Sequence, residues 1–182
     1  MGEQLMLNNR ICFFTGNRIH TEIKDINNCS DLILLKEIIR QIFINAILNG
    51  YNNFISGVAM GFDTICAEIV IELKKKYPEV TLEIAIPYET YTVKWNDNDK
   101  ERFFNIVAKC DKETMLQTRY TIDCNIKRNK YMIKKSDFIV AVNNGKHDYI
   151  LQMINYAKKL KKRIVCIDPI SFKVTEIQAS RE

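Results

Sequence analysis

Residues 53–68 read NFISGVAMGFDTICAE, a short apolar run that passes into a helical pattern through Gly57, Gly61 and Asp63. The first amides of a helix lack intrahelical partners, and the macrodipole leaves partial positive charge there. A phosphate or carboxylate fits such a junction. Gly57 and Gly61 would let the main chain turn with positive φ or approach a ligand closely, which a Cβ would hinder. Two roles are open to Asp63: capping the helix by bonding the amide of Cys66, or accepting a ribose hydroxyl or amino group beside a bound anion. For an isolated motif capping is the commoner role. The G-x-x-x-G spacing is not a Walker loop, because no Gly-Lys-Ser/Thr follows.

Outward from this junction, strand and helix patterns alternate. Residues 10–15 are β-branched and aromatic and end at Gly16. Residues 30–49 carry Leu32, Leu35, Ile39, Ile42, Phe43 and Ala46 at helical spacing, with Ser30 and Asp31 to start the helix and Gly50 to end it. Strands are expected at 54–56 and 80–86, the latter stopped by Pro87, with a helix between them at 62–76. A helix at 97–110 follows, with Asn98 and Glu101 as its capping box. Then come a strand at 112–117, a helix at 121–135 with Ile122, Ile126 and Ile133 on its face, and a buried strand at 137–142. A helix at 147–160 and a strand at 163–167 complete the pattern.

This alternation predicts an α/β, Rossmann-like fold, a mainly parallel sheet with helices on both faces, because right-handed crossovers place helices there. The 182 residues, 47% apolar and 27% charged, suit a single domain over 1–182 with its core at about 10–169. No run approaches the roughly 18 apolar residues of a membrane helix. Residues 1–10 lack the apolar core of a signal peptide, so the expected location is the cytoplasm. The six cysteines are widely separated without C-x-x-C and read as reduced thiols. With only His20 and His147, an imidazole-rich metal centre is disfavoured, and no metal is expected. The net charge is +5. Its basic runs, Lys74–Lys76 and the cluster from Lys158 to Arg163, close predicted helices, where cations complement the dipole. Nucleic acid is therefore a disfavoured partner.

In such sheets ligands sit beyond the carboxyl ends of the strands, at a topological switch point. That rule gathers four loops. Thr15, Gly16, Asn17 and Arg18 offer a hydroxyl, a flexible turn, an amide and a guanidinium that could fork onto phosphate. The loop carrying Gly57, Ala59, Gly61 and Asp63 is the second. The third runs from Pro87 to Trp95, the chain's one tryptophan, which either stacks a base or plugs the sheet end. The fourth runs from Asn143 to Asp148 and contains Gly145. Asn129 lies on the core side of its helix and needs hydrogen-bond partners, from a neighbouring loop or a ligand. Arg128 points about 100° away from it and need not share its role.

Taken together, FFTGNR at 13–18, ISGVAMGFDTICAE at 55–68, the 87–95 loop, KRNKYM at 127–132 and SDFIVAV at 136–142 resemble the YpsA-like family of the SLOG superfamily. That superfamily also contains the DNA-processing protein A fold and the cytokinin-activating LOG enzymes. The resemblance runs in order over about 11–169. It implies a Rossmann-like domain that binds nucleotides or nucleotide-derived signals, with Gly16, Arg18, Gly57, Gly61 and Asp63 in the ligand pocket and Asn129, in an Arg-Asn pair, ordering its edge. The chain departs from the family after the strand at 138–142. There Gly145-Lys146-His147-Asp148 stands in place of a Gly-Gly-Thr or Gly-Gly-Ser turn. Lys146 and His147 either replace main-chain amides and a hydroxyl with charge, or this half of the pocket is altered.

A binding module is favoured over an enzyme: a sensor or sequestering protein for a nucleotide or ADP-ribose-like ligand, with no other cofactor implied and a homodimer left open. The first alternative is an N-glycosidic nucleotide hydrolase, which needs a carboxylate and an acid for the leaving base. The LOG signature P-G-G-x-G-T-x-x-E is absent, and Asp63 and Glu68 diverge by roughly 140° on one helix. The other alternative is single-stranded DNA binding, which predicts a steep loss of affinity with salt.

Overall fold

The computed structural model describes residues 9–16, 30–143, 145 and 148–177. Within them the chain runs β1 (Ile11–Gly16), α1 (Ser30–Leu48), β2 (Asn53–Ser56), α2 (Phe62–Lys74), β3 (Thr81–Ile86) and α3 (Asp97–Val107). It continues through β4 (Lys112–Met115), α4 (Cys124–Lys135), β5 (Phe138–Val142), α5 (Asp148–Lys159), β6 (Arg163–Ile167) and β7 (Val174–Ile177).

Alternate residues of the central strands feed two separate cores, as the period of two requires. Cys12 and Phe14 of β1 and Val140 of β5 join Leu35, Phe43, Phe62, Val70 and Phe103 on the face covered by α1, α2 and α3. Phe13, Ile139 and Ala141 point the other way, into Met132, Ile133, Met153 and Ile154 of α4 and α5. A strand buried on both sides has no polar positions to alternate, which is why FIVAV at 138–142 reads as a continuous apolar run.

The strand order is β4-β3-β2-β1-β5-β6-β7. Every pairing is parallel except β6 with β7, which is antiparallel. The chain works outward from β1 to β4, then returns to β5 on the other side of β1. The topological switch therefore lies between β1 and β5, where connections depart in opposite directions and leave a crevice at the strands' carboxyl ends. Among the described residues no helix is long and apolar enough to cross a membrane.

The structure corrects three local expectations. The cap of α3 is Asn96, not Asn98: its side chain accepts the Asp99 amide at 2.9 Å and donates to the Asp99 carboxylate at 2.7 Å. Helix α4 starts at Cys124, so Ile122 lies outside it and is 93% exposed, while Ile126 is also exposed. The buried face of α4 is Cys124, Arg128, Asn129, Met132 and Ile133. Strand β7 went unforeseen because its largely exposed residues carry no burial pattern of their own. Gly50 ends α1 as expected, at φ 84° with its amide donating to the Ile47 carbonyl.

Candidate functional site

The loop between β2 and α2 is held from both ends. The Ser56 hydroxyl accepts the Val58 amide at 3.0 Å, and the Thr64 hydroxyl donates to the Ala59 carbonyl at 3.0 Å. Gly61, the N-cap of α2, adopts φ 104° and has no side chain with which to cap the helix. Asp63 lies inside the first turn of α2, and its Oδ1 bonds no helix amide. Gly57 is not among the positive-φ residues; its neighbour Val58 is, at φ 42°. This is a costly conformation for a buried β-branched residue.

What Gly57 provides is room. A Cβ there would stand 2.7 Å from Cζ of Arg128 and 2.8 Å from its Nε. The guanidinium lies against the glycine, and the close approach foreseen for a ligand is made by the protein's own arginine. Gly16 has a comparable reason, because a Cβ there would meet the Phe62 ring at 2.6 Å.

Arg128, expected about 100° from Asn129 around the helix and not bound to share its role, is buried in the same site and bonds Asn129 directly. Nη1 donates to the Gly57 carbonyl at 3.3 Å and to the Tyr91 hydroxyl at 3.1 Å, and Nε donates to Oδ1 of Asn129 at 3.1 Å. Nδ2 of Asn129 then donates to the Tyr149 hydroxyl at 2.9 Å. Both possible roles of Asn129 are thereby narrowed: its partners are side chains from α4 and α5. All hydrogen-bond partners of the Arg128 cation among the described residues are neutral, although a buried charge is costly without a counter-charge.

Asp63 supplies the opposite charge nearby. It is 5% exposed, and its Oδ1 has no hydrogen-bond partner among the described residues. Burial pushes its carboxyl up from 3.8 to about 7, while Arg128 and the amides of Ala59 and Gly16 pull the other way. The desolvated carboxylate therefore titrates near neutrality. Burial likewise raises the Tyr149 phenol, against the pull of Arg128.

These groups line a cavity of about 510 Å³ at the β1/β5 switch, within the size range of small-molecule sites. Of the residues expected from sequence, Thr15, Gly16, Ala59, Asp63, Trp95, Arg128 and Asn129 line it. Gly57 stands behind Arg128, and Gly61, Pro87 and Gly145 are not in the lining. Asn17 and Arg18 lie outside the described residues, as do Lys146 and His147. Trp95 lines the cavity and packs edge-on against Tyr91 and Phe103, with ring centroids 5.1 and 5.6 Å away.

The YpsA family model, whose description reads YspA SLOG family, matches residues 15–172. The chain belongs to the YspA SLOG family. Among relatives of this YspA SLOG chain, the UPF0398 protein SERP1017 of Staphylococcus epidermidis is 25% identical over 132 residues, covering 68% of this chain and 70% of the relative. The SPbeta prophage-derived protein YoqJ of Bacillus subtilis is 33% identical over 118 residues, covering 58% and 69%. Two solved structures share the fold. DNA processing protein A (DprA) of Streptococcus pneumoniae has a TM-score of 0.58 at 12% identity, over 88% of this chain. The Helicobacter pylori DprA, from work on its single-stranded DNA binding mode, has a TM-score of 0.58 at 16% identity, over 93%. This chain spans 51% of the pneumococcal DprA and 74% of the Helicobacter one.

Sequence reasoning about the YspA SLOG chain missed Met60, Tyr91, Asn125, Tyr149 and Ile150 of the lining, together with Ile122 and Ile126, which it had assigned to a core stripe. Tyr149 sits one residue beyond the expected loop, in the first turn of α5, and could have been found by extending the switch-point rule into the helices that follow it. Asn125 has the same standing in α4. No sequence signal distinguished Met60.

Proposed function

We propose that the switch-point cavity binds a nucleotide or nucleotide-derived metabolite, with Arg128 taking its anionic group and Tyr91 and Trp95 flanking its base. One observation carries this reading: two oppositely charged side chains, both buried, share a cavity wall while neither has a charged hydrogen-bond partner among the described residues. Such an arrangement costs stability unless a ligand completes it, and perturbed titrating groups in clefts concentrate at binding sites. The fixed guanidinium suits a phosphate, whose planar, bidentate recognition favours arginine.

Binding is favoured over hydrolysis because Asp63 is the one carboxylate lining the cavity among the described residues. Glu68, the candidate partner on the same helix, is held in a bidentate pair with Arg102 at 2.5 and 2.6 Å, facing another surface.

A second reading, single-stranded DNA binding, draws support from the fold likeness to DprA and from the net charge of +5. The basic helix ends weigh against the cavity serving it. Lys74 pairs with Asp111 at 2.5 Å and Arg163 with Glu176 at 2.7 Å, both at the amino ends of strands, opposite the cavity.

Trp95 provides the test, being the sole tryptophan and part of the lining. Titration with ribonucleoside monophosphates and ADP-ribose is expected to change its emission saturably. Asp63→Ala is expected to weaken that binding more than it lowers the melting temperature. Unchanged emission together with no calorimetric heat would reject the reading. Binding of an oligodeoxynucleotide alone, falling steeply with salt, would favour the DNA reading instead.

A further inference from the structure

We infer that the Asp63 carboxylate receives the vicinal hydroxyls of a ribose, so that the ligand is a ribonucleotide and its 2′- or 3′-deoxy counterpart is discriminated against. This rests on the nucleotide reading above and adds the sugar and the orientation.

Three observations lead to it. Asp63 lines the cavity, and its buried Oδ1 has no partner among the described residues, so the carboxylate has acceptor capacity left for a ligand. Ionised, as it is above about pH 7, the carboxylate only accepts, which suits the neutral hydroxyls of a ribose. Arg128 close by disfavours a cationic donor at this point and attracts the ligand's anion to itself, leaving neutral donors for Asp63. Position then selects among neutral donors. Asp63 emerges beyond β2, beside β1, while the cavity opens at the β1/β5 switch. In doubly wound sheets an acidic residue at the cofactor crevice reads the ribose hydroxyl. The aromatic wall of Tyr91 and Trp95 is left to the base.

The ligand then spans the cavity with its phosphate toward α4 and its sugar toward the first turn of α2. Deoxyribose would leave the buried carboxylate unsatisfied, so the site would reject a DNA-type sugar by the same contact that accepts the ribose.

The experiment is calorimetric titration of the full chain with ribonucleoside 5′-monophosphates and ADP-ribose, beside 2′-deoxy and 3′-deoxy monophosphates. Loss of one hydroxyl is expected to weaken binding about tenfold or more, the range for a hydrogen bond to a charged group. Asp63→Asn is expected to bind ribo and deoxy forms with nearly equal, reduced affinity. Ribo and deoxy forms binding the natural chain equally would overturn this inference and leave nucleotide binding standing. Absence of binding by either series would overturn both. The analogue comparison uses the unaltered chain, so it decides the matter even if Asp63→Asn fails to fold.

Discussion

Asp63 has a consequence for stability that can be measured without any ligand. The folded protein keeps its proton to about pH 7, whereas the ordinary value is 3.8. Between those values the folded state binds more protons than the unfolded chain, so stability falls as pH rises from about 4 through 7 and levels off above. The penalty at alkaline pH is on the order of 4 kcal/mol, three pH units at the usual conversion. The groups facing Asp63 are Arg128, whose charge opposes the effect, and Cys66 and Tyr149, which it pushes up in turn. Asp63→Asn is expected to be more stable than the natural chain at pH 8 in urea unfolding, with the advantage shrinking toward pH 5. An identical pH profile for the two proteins would show that the carboxylate is not desolvated. The importance of Asp63 was legible in the sequence from its place at a strand-to-helix junction. Its burial was not, since that depends on Arg128 arriving from an element 65 positions away in the numbering.

At the scale of elements, the pairing of the β2–α2 loop with α4 decides the site. Gly57→Ala would place a methyl 2.7 Å from the Arg128 guanidinium, which is pinned by Gly57, Tyr91 and Asn129 and cannot simply swing away. The expected cost is about 1–3 kcal/mol by overpacking, with weaker nucleotide binding because Arg128 is displaced. Arg128→Ala in the same chain should relieve the clash, so the double variant should be more stable than the sum of the two single losses predicts. Strict additivity in thermal unfolding would deny the contact. Helix α4 also marks where sequence reading failed. Of the three residues expected on its stripe, Ile122 and Ile126 are exposed and only Ile133 is buried, while the buried face also includes an arginine and an asparagine. Apolar periodicity finds a helix face only when the core is apolar. Here part of the buried face is a polar network, and a charged residue turned inward is invisible to that signal. The elements themselves were legible: β6 was located at 163–167 as observed, and α1 and β5 differed by one residue at an end.

For the whole molecule, the order of strands places the cavity. The alternation of strand and helix patterns implied a parallel sheet, and the family resemblance agreed. The antiparallel β7, at an edge and mostly exposed, is the part of the sheet that pattern could not supply. The switch between β1 and β5 brings α2, α4, α5 and the 87–95 loop to one rim, while the lysine-rich helix ends go to the opposite one. Among the described residues charge is thus segregated: the buried Arg128 guanidinium at the ligand rim, and lysines, several of them paired, at the far rim. The central claim is that the ligand rim holds a nucleotide-derived anion. Native mass spectrometry of the protein purified from its host, then again after addition of ribonucleotides, tests it most directly. A retained or acquired mass equal to one nucleotide-derived ligand per chain is expected, and it is lost in Arg128→Ala. A bare protein mass in the natural chain, before and after addition, would contradict it.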